Sequence, residues 1–251
     1  PLYKVRRLSF TALSLFERCS YRYYAERVAG MREERIAVSG GDGLAATEIG
    51  SAVHKLLELG SDDLDVVRSD YPAATDENVE RIAAFVRSYR ESELAARVAQ
   101  LSGVKPERPF AFEHDGVLLH GFLDLLWLAP PRALVVDYKT NALGDSSPEE
   151  IVDHEYSLQR LVYAIACFRA GADEVEVAYA FLERPDAVVT TVFERSQLPE
   201  LEATLSAAIA RIDAGEFTPT PSEFACAGCP ALDLVCAGPR LRNPPAQLVA
   251  V

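Results

Sequence analysis

The sequence predicts an α/β protein: a mixed central sheet flanked by helices. Three observations carry that expectation. Apolar, strand-like segments separated by short turns occupy 109–139. A helical stretch follows and gives way to two further strand-like segments, 175–182 and 188–193. Adjacent strands, then a helix, then more strands is the pattern of a mixed sheet with helices packed on it. Amphipathic helical stretches also stand on both sides of this set, so each sheet face has something to cover it.

The elements follow in order. Thr11 to Ala29 reads as a helix with Ala12, Leu15, Phe16, Cys19 and Tyr23 on one stripe. Residues 36–46 are Gly-rich and read as a loop. Thr47 can cap a helix running to Leu59, with Ile49, Val53, Leu56 and Leu57 as its apolar stripe and Gly60 as its stop. Residues 61–75 read as an acidic connection. Residues 76–101 show helical periodicity through Val79, Ile82, Val86, Leu94 and Val98, so 61–101 reads as a helical lid or insertion. Strands are expected at Pro109–His114 and Val117–Leu128 and, after the Pro130-Pro131 turn, at Ala133–Lys139. Ser147-Pro148-Glu149-Glu150 is a helix start: Ser as cap, Pro first, Glu at the capping-box position. A helix from Tyr156 to Ala170 stops at Gly171. Another, from Ser196 to Ala214, carries Leu198, Leu201, Leu205, Ile209 and Ile212 at core spacing.

Composition bounds the class. The chain has 251 residues, 49% of them hydrophobic and 25% charged, enough for one large domain, or one with an insertion, without disulfide staples. No apolar run approaches a membrane span, and the short basic stretch Pro1 to Phe10 has no apolar run after it. The sequence begins with Pro and its one methionine is Met31, which reads as a domain from a longer polypeptide. Five cysteines without an export signal point to a metal site or free thiols and to the cytoplasm. A net charge of −13 disfavours wholesale phosphate binding. Residues 1–35, however, hold eight basic residues, including Arg18 and Arg22, against four acidic ones, a local +4. Arg240 and Arg242 add to this near the other end. A basic lobe on an acidic body is compatible with DNA, with Arg18 and Arg22 as candidate contacts.

The chemistry-bearing segments are Gly121-Phe122-Leu123-Asp124 and Val135-Val136-Asp137-Tyr138-Lys139-Thr140. Residues two apart in a strand share a face, so Asp137 and Lys139 point one way and Val136 and Tyr138 the other. The short turn lets the two strands pair, so Asp124 and Asp137 converge. Two carboxylates and a backbone carbonyl suit Mg²⁺ or Mn²⁺, and a lysine beside them can orient water and offset charge on a phosphoryl oxygen. The plainer reading is a structural Asp137–Lys139 ion pair, but charges inside Val/Leu strands are costly without a strong local reason. Gln159 and Tyr163 are four apart and share a helix face. His54 borders its helix's apolar stripe and can point inward; His114, His120 and His154 read as structural or surface residues. Glu107 and Glu113 are the nearest spare carboxylates; either could be a supporting ligand, with solvent exposure as the expectation.

The G-x-x-D strand, the D-Y-K-T strand, the Gln159-x3-Tyr163 helix and the upstream Gly50-Ser51-Ala52-Val53-His54 together resemble the nuclease domains of RecB and AddB. More broadly they resemble PD-(D/E)XK nucleases, including the CRISPR-associated adaptation nucleases. The first acid is preceded by Leu123 rather than Pro, and the second acid is Asp rather than Glu. The resemblance implies a restriction-endonuclease-like fold. It implies that His54, Asp124, Asp137 and the carbonyl of Tyr138 surround Mg²⁺ or Mn²⁺, that Lys139 is catalytic, and that Gln159 and Tyr163 lie near the phosphate and the DNA.

Cys226-x2-Cys229-x6-Cys236 is a tight cluster in a Pro/Gly-rich segment, with the spacing of a metal or cluster site. A fourth ligand is needed. Cys167 lies in the apolar register of its helix and reads as a packed small hydrophobe, while Cys19 precedes the aromatic run Tyr21, Tyr23, Tyr24. One early and three late cysteines resemble the 4Fe–4S staple of AddB-type nucleases, which would fasten the two ends of a single domain together. Structural zinc on the same thiolates is the alternative.

The function this implies is a metal-dependent deoxyribonuclease, an exonuclease on single-stranded DNA or ends, acting with a helicase domain or subunit in DNA repair and recombination. No G-x-x-x-x-G-K-[S/T] loop is present, so motor activity would lie elsewhere. The rivals are a catalytically silent DNA-binding scaffold of a helicase complex, a stand-alone exonuclease of the CRISPR-adaptation type, and a zinc-stabilised binding module.

Overall fold

Caps and turns set most element boundaries in the computed structural model of the chain, which describes residues 4–32, 43–144, 146–184 and 186–241. Strand β1 (Arg7–Ser9) leads straight into α1 (Phe10–Arg18), because the Ser9 hydroxyl caps the helix by accepting from Ala12 N at 3.2 Å. The helix expected over 11–29 is not continuous. The backbone is extended at Cys19 (φ −157°, ψ 102°) and restarts as α2 (Ser20–Tyr23), followed by a wider-wound turn at Tyr24–Val28. The Ser20 hydroxyl holds the break by accepting from Thr218 N (2.8 Å) and donating to Thr218 O (3.1 Å).

Helix α3 (Ala46–Leu59) starts before Thr47. Ala45 takes the cap position and its N–H donates to Glu48 at 2.8 Å, so a glutamate reaching back replaces the expected threonine cap. Gly60 ends the helix as expected, in the left-handed conformation (φ 60°) that glycine adopts without steric cost. Of the Gly-rich loop, residues 36–42 lie outside the described residues, as does Arg242. The acidic connection 61–75 instead contains α4 (Leu64–Asp70), capped by Asp63. The 76–101 stretch is two helices, α5 (Asp76–Arg90) and α6 (Glu93–Val98), divided where the Ser92 hydroxyl caps the second. Then come β2 (Lys105–His114), β3 (Val117–Ala129), a turn with a cis Pro130–Pro131 peptide, and β4 (Arg132–Lys139). The Ser147 capping box opens α7 (Pro148–Glu155) as the sequence predicts. Helix α8 (Ser157–Arg169), β5 (Glu174–Phe181), β6 (Val188–Glu194), α9 (Leu198–Ala214) and α10 (Glu223–Cys226) complete the order.

The strands make a mixed six-stranded sheet, and the chain divides into two compact units. The larger takes Ser39–Ala111 and Gly121–Glu202. In it β3 pairs antiparallel with β4 (Leu125↔Val136), β4 parallel with β5 (Asp137↔Tyr179), and β5 antiparallel with β6. A strand with neighbours on both edges and helices on both faces is an almost unbroken apolar run, and in β4 every residue from Ala133 to Tyr138 is buried. Alternation sends Leu134, Val136 and Tyr138 into a cluster with Val53, Leu56, Ile82, Val86 and Leu94 of α3, α5 and α6. Ala133 and Val135 join Tyr163, Cys167 and Phe168 of α8 on the opposite face. The 61–101 segment is thus core on one sheet face. Cys167 is a packed hydrophobe, as its register predicts.

The second unit takes Pro1–Val38, Phe112–His120 and Ala203–Val251. In it β1 pairs parallel with the first residues of β3 (Leu8↔Leu119), and Leu8, Leu13, Phe16, Leu205, Ile209 and Ile212 are buried. Both ends of the chain therefore contribute to one unit. His120 accepts from Arg7 Nε at 2.9 Å, and His114 bonds Ser206 at 2.9 Å, both structural contacts. His154 is exposed at the end of α7, and Glu113 is exposed on β2.

Candidate active site

In the larger unit, the antiparallel pairing of β3 with β4 brings the two predicted carboxylates together. Asp124 accepts from the backbone N–H of Tyr138 at 2.8 Å, which fixes its carboxylate against the next strand. Asp137 is 2% exposed in the middle of β4. Its Oδ2 accepts from Gln159 Nε2 (3.0 Å) and from the Tyr163 hydroxyl (2.9 Å). Lys139 lies two residues on, on the same face as expected, with Nζ 2.5 Å from Asp137 Oδ1. It also donates to Gln159 Oε1 at 3.3 Å.

Gln159 and Tyr163 sit one turn apart on the buried face of α8, and Gln159 Nε2 also donates to Tyr163 Oη at 2.6 Å. The resemblance implies that these two lie near phosphate and DNA. The structure gives them a different immediate partner: both are fully buried and grip Asp137. The ammonium of Lys139 lies over the Tyr156 ring at 4.1 Å and near that of Tyr179 at 5.4 Å, two rings that stack on each other at 5.4 Å. Such a pocket holds a cation by the ring quadrupoles while keeping water away.

His54 on α3 points inward, with Nδ1 3.4 Å from Asp124 Oδ1 and Nε2 3.1 Å from the Tyr138 carbonyl. Gly50 lies one turn earlier, and a Cβ there would stand 3.1 Å from the Thr140 hydroxyl, so glycine lets α3 approach β4 this closely. Tyr138 turns its ring into the core, edge-on to His54 (5.8 Å) and to Tyr89 of α5 (4.7 Å). That packing fixes the direction of its carbonyl.

Adjacent ligands of an octahedral Mg²⁺ lie about 3 Å apart, given metal–oxygen distances of 2.0–2.1 Å. The separation of His54 Nε2 and the Tyr138 carbonyl meets that spacing, while Asp137 Oδ1 is engaged by the Lys139 ammonium. By its chemistry the donor set His54, Asp124, Asp137 and Tyr138 O suits a hard divalent cation, but Asp137 is not among the residues whose ligand atoms lie within 4.8 Å of those of His54 and Asp124. Of the two spare carboxylates, Glu107, expected first in solvent and second as a supporting ligand, is half-buried on β2. One ligand atom each of Glu107, His54 and Asp124 lies within 4.8 Å of the others.

The charges are strongly coupled. Burial pushes Asp137 up from the ordinary carboxylate value, against the lowering effect of Lys139, and Asp124 adds to the rise. Burial works to lower Lys139, but Asp137, Tyr156 and Asp124 together hold it above its ordinary value, so it stays a cation. Burial and Asp124 raise Glu107. Burial alone would lower His54, but Asp124 and Asp137 raise it above 6.5.

The other predicted residues lie in the second unit. Arg22 does not present a free guanidinium. It pairs with Glu26 at 2.6 Å and donates to the carbonyls of Ala225 (3.0 Å), Ala227 (2.8 Å) and Gly228 (3.2 Å), tying α2 to the cysteine segment. Arg18 is half-buried at the end of α1. The Cys19 thiol accepts from Thr220 N at 3.5 Å and the Cys236 thiol from Gly238 N at 3.4 Å. Burial raises Cys229, while the N–H groups of Ala231 and Leu232 and the charge of Arg22 pull it down. Among the described residues, no three of these thiols come within 4.8 Å of one another, so they do not form a single-ion site.

A mixed sheet flanked by helices, with two carboxylates and a lysine on paired strands, defines a nuclease-type domain. The chain belongs to the PD-(D/E)XK nuclease superfamily, whose model matches residues 7–236. Among solved structures, a candidate exonuclease from Eubacterium rectale superposes with a TM-score of 0.53 at 16% identity, covering 98% of this chain and 91% of that one. A structure of SSO0001 gives a TM-score of 0.48 at 15% identity, covering 94% and 88%. No curated protein sequence matches.

Proposed function

We propose that this protein is a Mg²⁺- or Mn²⁺-dependent deoxyribonuclease acting as an exonuclease on single-stranded DNA or DNA ends. The observation that carries the reading is Asp137: a carboxylate in the middle of an apolar strand, ion-paired with Lys139 and gripped by Gln159 and Tyr163. Stability alone gives little reason to hold an aspartate there. In this reading His54, Asp124, Asp137 and the Tyr138 carbonyl hold the cation. When bound, it supplies Lewis acidity toward a phosphoryl oxygen and makes water a competent nucleophile near neutral pH. Asp124 is aimed by the Tyr138 N–H, and Asp137 by Gln159 and Tyr163. Lys139, kept cationic by Asp137 and enclosed by Tyr156 and Tyr179, offsets the charge that grows on phosphoryl oxygen.

The test is cleavage of single-stranded DNA labelled at one end, with Mg²⁺ or Mn²⁺, wild type beside Lys139→Ala. Wild type cuts, the variant is at least about 100-fold slower, and the label position gives polarity. A silent scaffold would cut in neither form.

The resemblance to RecB and AddB nuclease domains supports a helicase domain or subunit as partner, in repair and recombination in the cytoplasm. Among the described residues no helix is long and apolar enough to cross a membrane. The same resemblance supports a 4Fe–4S cluster on Cys19, Cys226, Cys229 and Cys236. The N–H donors at Cys19 and Cys236 suit thiolate ligands. A zinc tetrahedron would need its sulfurs about 3.8 Å apart, from Zn–S bonds of about 2.3 Å. The expected result is iron and acid-labile sulfide in anaerobically purified protein, both lost in Cys226→Ser; colourless protein containing zinc would contradict it.

A further inference from the structure

Glu107 lies inside β2 with its backbone in the left-handed region, φ 43°, where residues other than glycine are rarely found. Positive φ without glycine in a strand calls for a local reason. Asp124 and Asp137 both have protein partners for their carboxylates, whereas the Glu107 carboxylate forms no hydrogen bond or ion pair among the described residues. Its carboxylate is half-buried, and one of its oxygens lies within 4.8 Å of ligand atoms of both His54 and Asp124. Asp137 is not part of that group. A carboxylate is thus turned by an unusual backbone toward an imidazole and a second carboxylate, with no direct hydrogen bond or ion pair to satisfy it among the described residues. Charge points the same way. Glu107, Asp124 and Asp137 carry three negative charges when ionised, Lys139 carries one positive, and the remainder of two matches one divalent cation.

We propose that Glu107 is a further direct ligand of the divalent cation, bound from the side of His54 and Asp124. This rests on the reading of the site as a metal centre. Carboxylate number and charge are main determinants of divalent affinity at oxygen sites, so Glu107 raises affinity for the ion without touching the Lys139 side of the centre.

The experiment is Mn²⁺ binding to the full chain without DNA, followed by the electron paramagnetic resonance signal of free Mn²⁺ and by the metal-induced rise in Tm. Four proteins are compared: wild type, Glu107→Gln, Glu58→Gln and Asp124→Asn. Glu58 contributes charge near Glu107 from α3 but is ion-paired with Lys55 at 3.0 Å, so it controls for a field effect. Glu107→Gln is expected to weaken binding at least about tenfold and to shrink the Tm rise, with the metal-free Tm kept. Glu58→Gln should stay within about twofold, as expected for a charge acting only through a screened field. If Glu107→Gln binds Mn²⁺ as wild type does while Asp124→Asn does not, the centre stands and the Glu107 assignment is overturned. Equal weakening by Glu58→Gln and Glu107→Gln also overturns it, since general charge would then be the cause. If Asp124→Asn also binds normally, both the assignment and the metal-centre reading fall.

Discussion

At Asp137, burial and chemistry set opposite requirements. The carboxylate has left water, which raises its pKa, and it stays useful because Lys139, Gln159 and Tyr163 offset that cost. His54 shows the same tension in a form that can be measured. Its pKa stands above 6.5 because Asp124 and Asp137 outweigh burial. A protonated imidazole cannot bind a cation, so Mn²⁺ affinity is expected to climb as pH rises through a range above about 6.5. The sign for folding is reversed. A histidine raised in the folded state stabilises the metal-free protein at low pH and loses that contribution as pH rises through its folded pKa. Mn²⁺ titrations from about pH 5.5 to about pH 8.5 check this; His54→Gln should flatten the rise, and an unchanged profile would remove His54 from the ligand set. The Asp137–Lys139 pair was legible because a strand's period of two is legible. Glu107 was legible as a spare carboxylate but not as a half-buried one, because its aim depends on a positive φ that residue identity does not announce. Arg22 misled for another reason: a basic residue looks the same in sequence whether it meets phosphate or three backbone carbonyls.

At the scale of elements, strand and helix existence was largely readable and the interruptions were not. The apolar runs along 117–128 and 133–139, bounded by turn residues, give β3 and β4, and the Ser-Pro-Glu-Glu start gives α7. The break at Cys19 depends on Ser20 meeting Thr218, about 200 residues away in sequence, which no local pattern carries. Residues 61–101 read as a lid because they are acidic and helical, yet Ile82, Val86 and Leu94 are buried under the β4 face that carries Tyr138. Ile82→Ala is therefore expected to destabilise the protein by about 2–5 kcal/mol, the cost of a large-to-small change in a packed core. Denaturant melts followed by circular dichroism check this; a change under about 0.5 kcal/mol, as for a surface site, would return the segment to the role of a lid. The Tyr89–Tyr138 contact adds a functional side, since this helical layer steadies the residue whose carbonyl is a proposed ligand.

For the whole molecule, fold class and family followed from motif order: the His54 helix, Asp124, Asp137-x-Lys139 and Gln159-x3-Tyr163 fall in the sequence of the superfamily that matches residues 7–236. The division into two units was less legible, because one unit is assembled from three separate stretches of chain, including both ends. That unit holds the basic N-terminal stretch and all four cysteines of the proposed cluster; the larger unit holds every residue of the candidate active site. The net charge of −13 works against sequence-independent attraction to DNA phosphates. The account's central claim is that Asp124, Asp137 and Lys139 form a metal-dependent hydrolytic centre. Its most direct test is single-turnover cleavage of end-labelled single-stranded DNA as Mn²⁺ is titrated, wild type beside Asp137→Asn. The account predicts a saturable Mn²⁺ dependence for wild type and a rate at least about 100-fold lower for the folded variant at every Mn²⁺ concentration. Wild-type cleavage in the presence of a chelator, or an Asp137→Asn protein that cuts as fast as wild type, would contradict it.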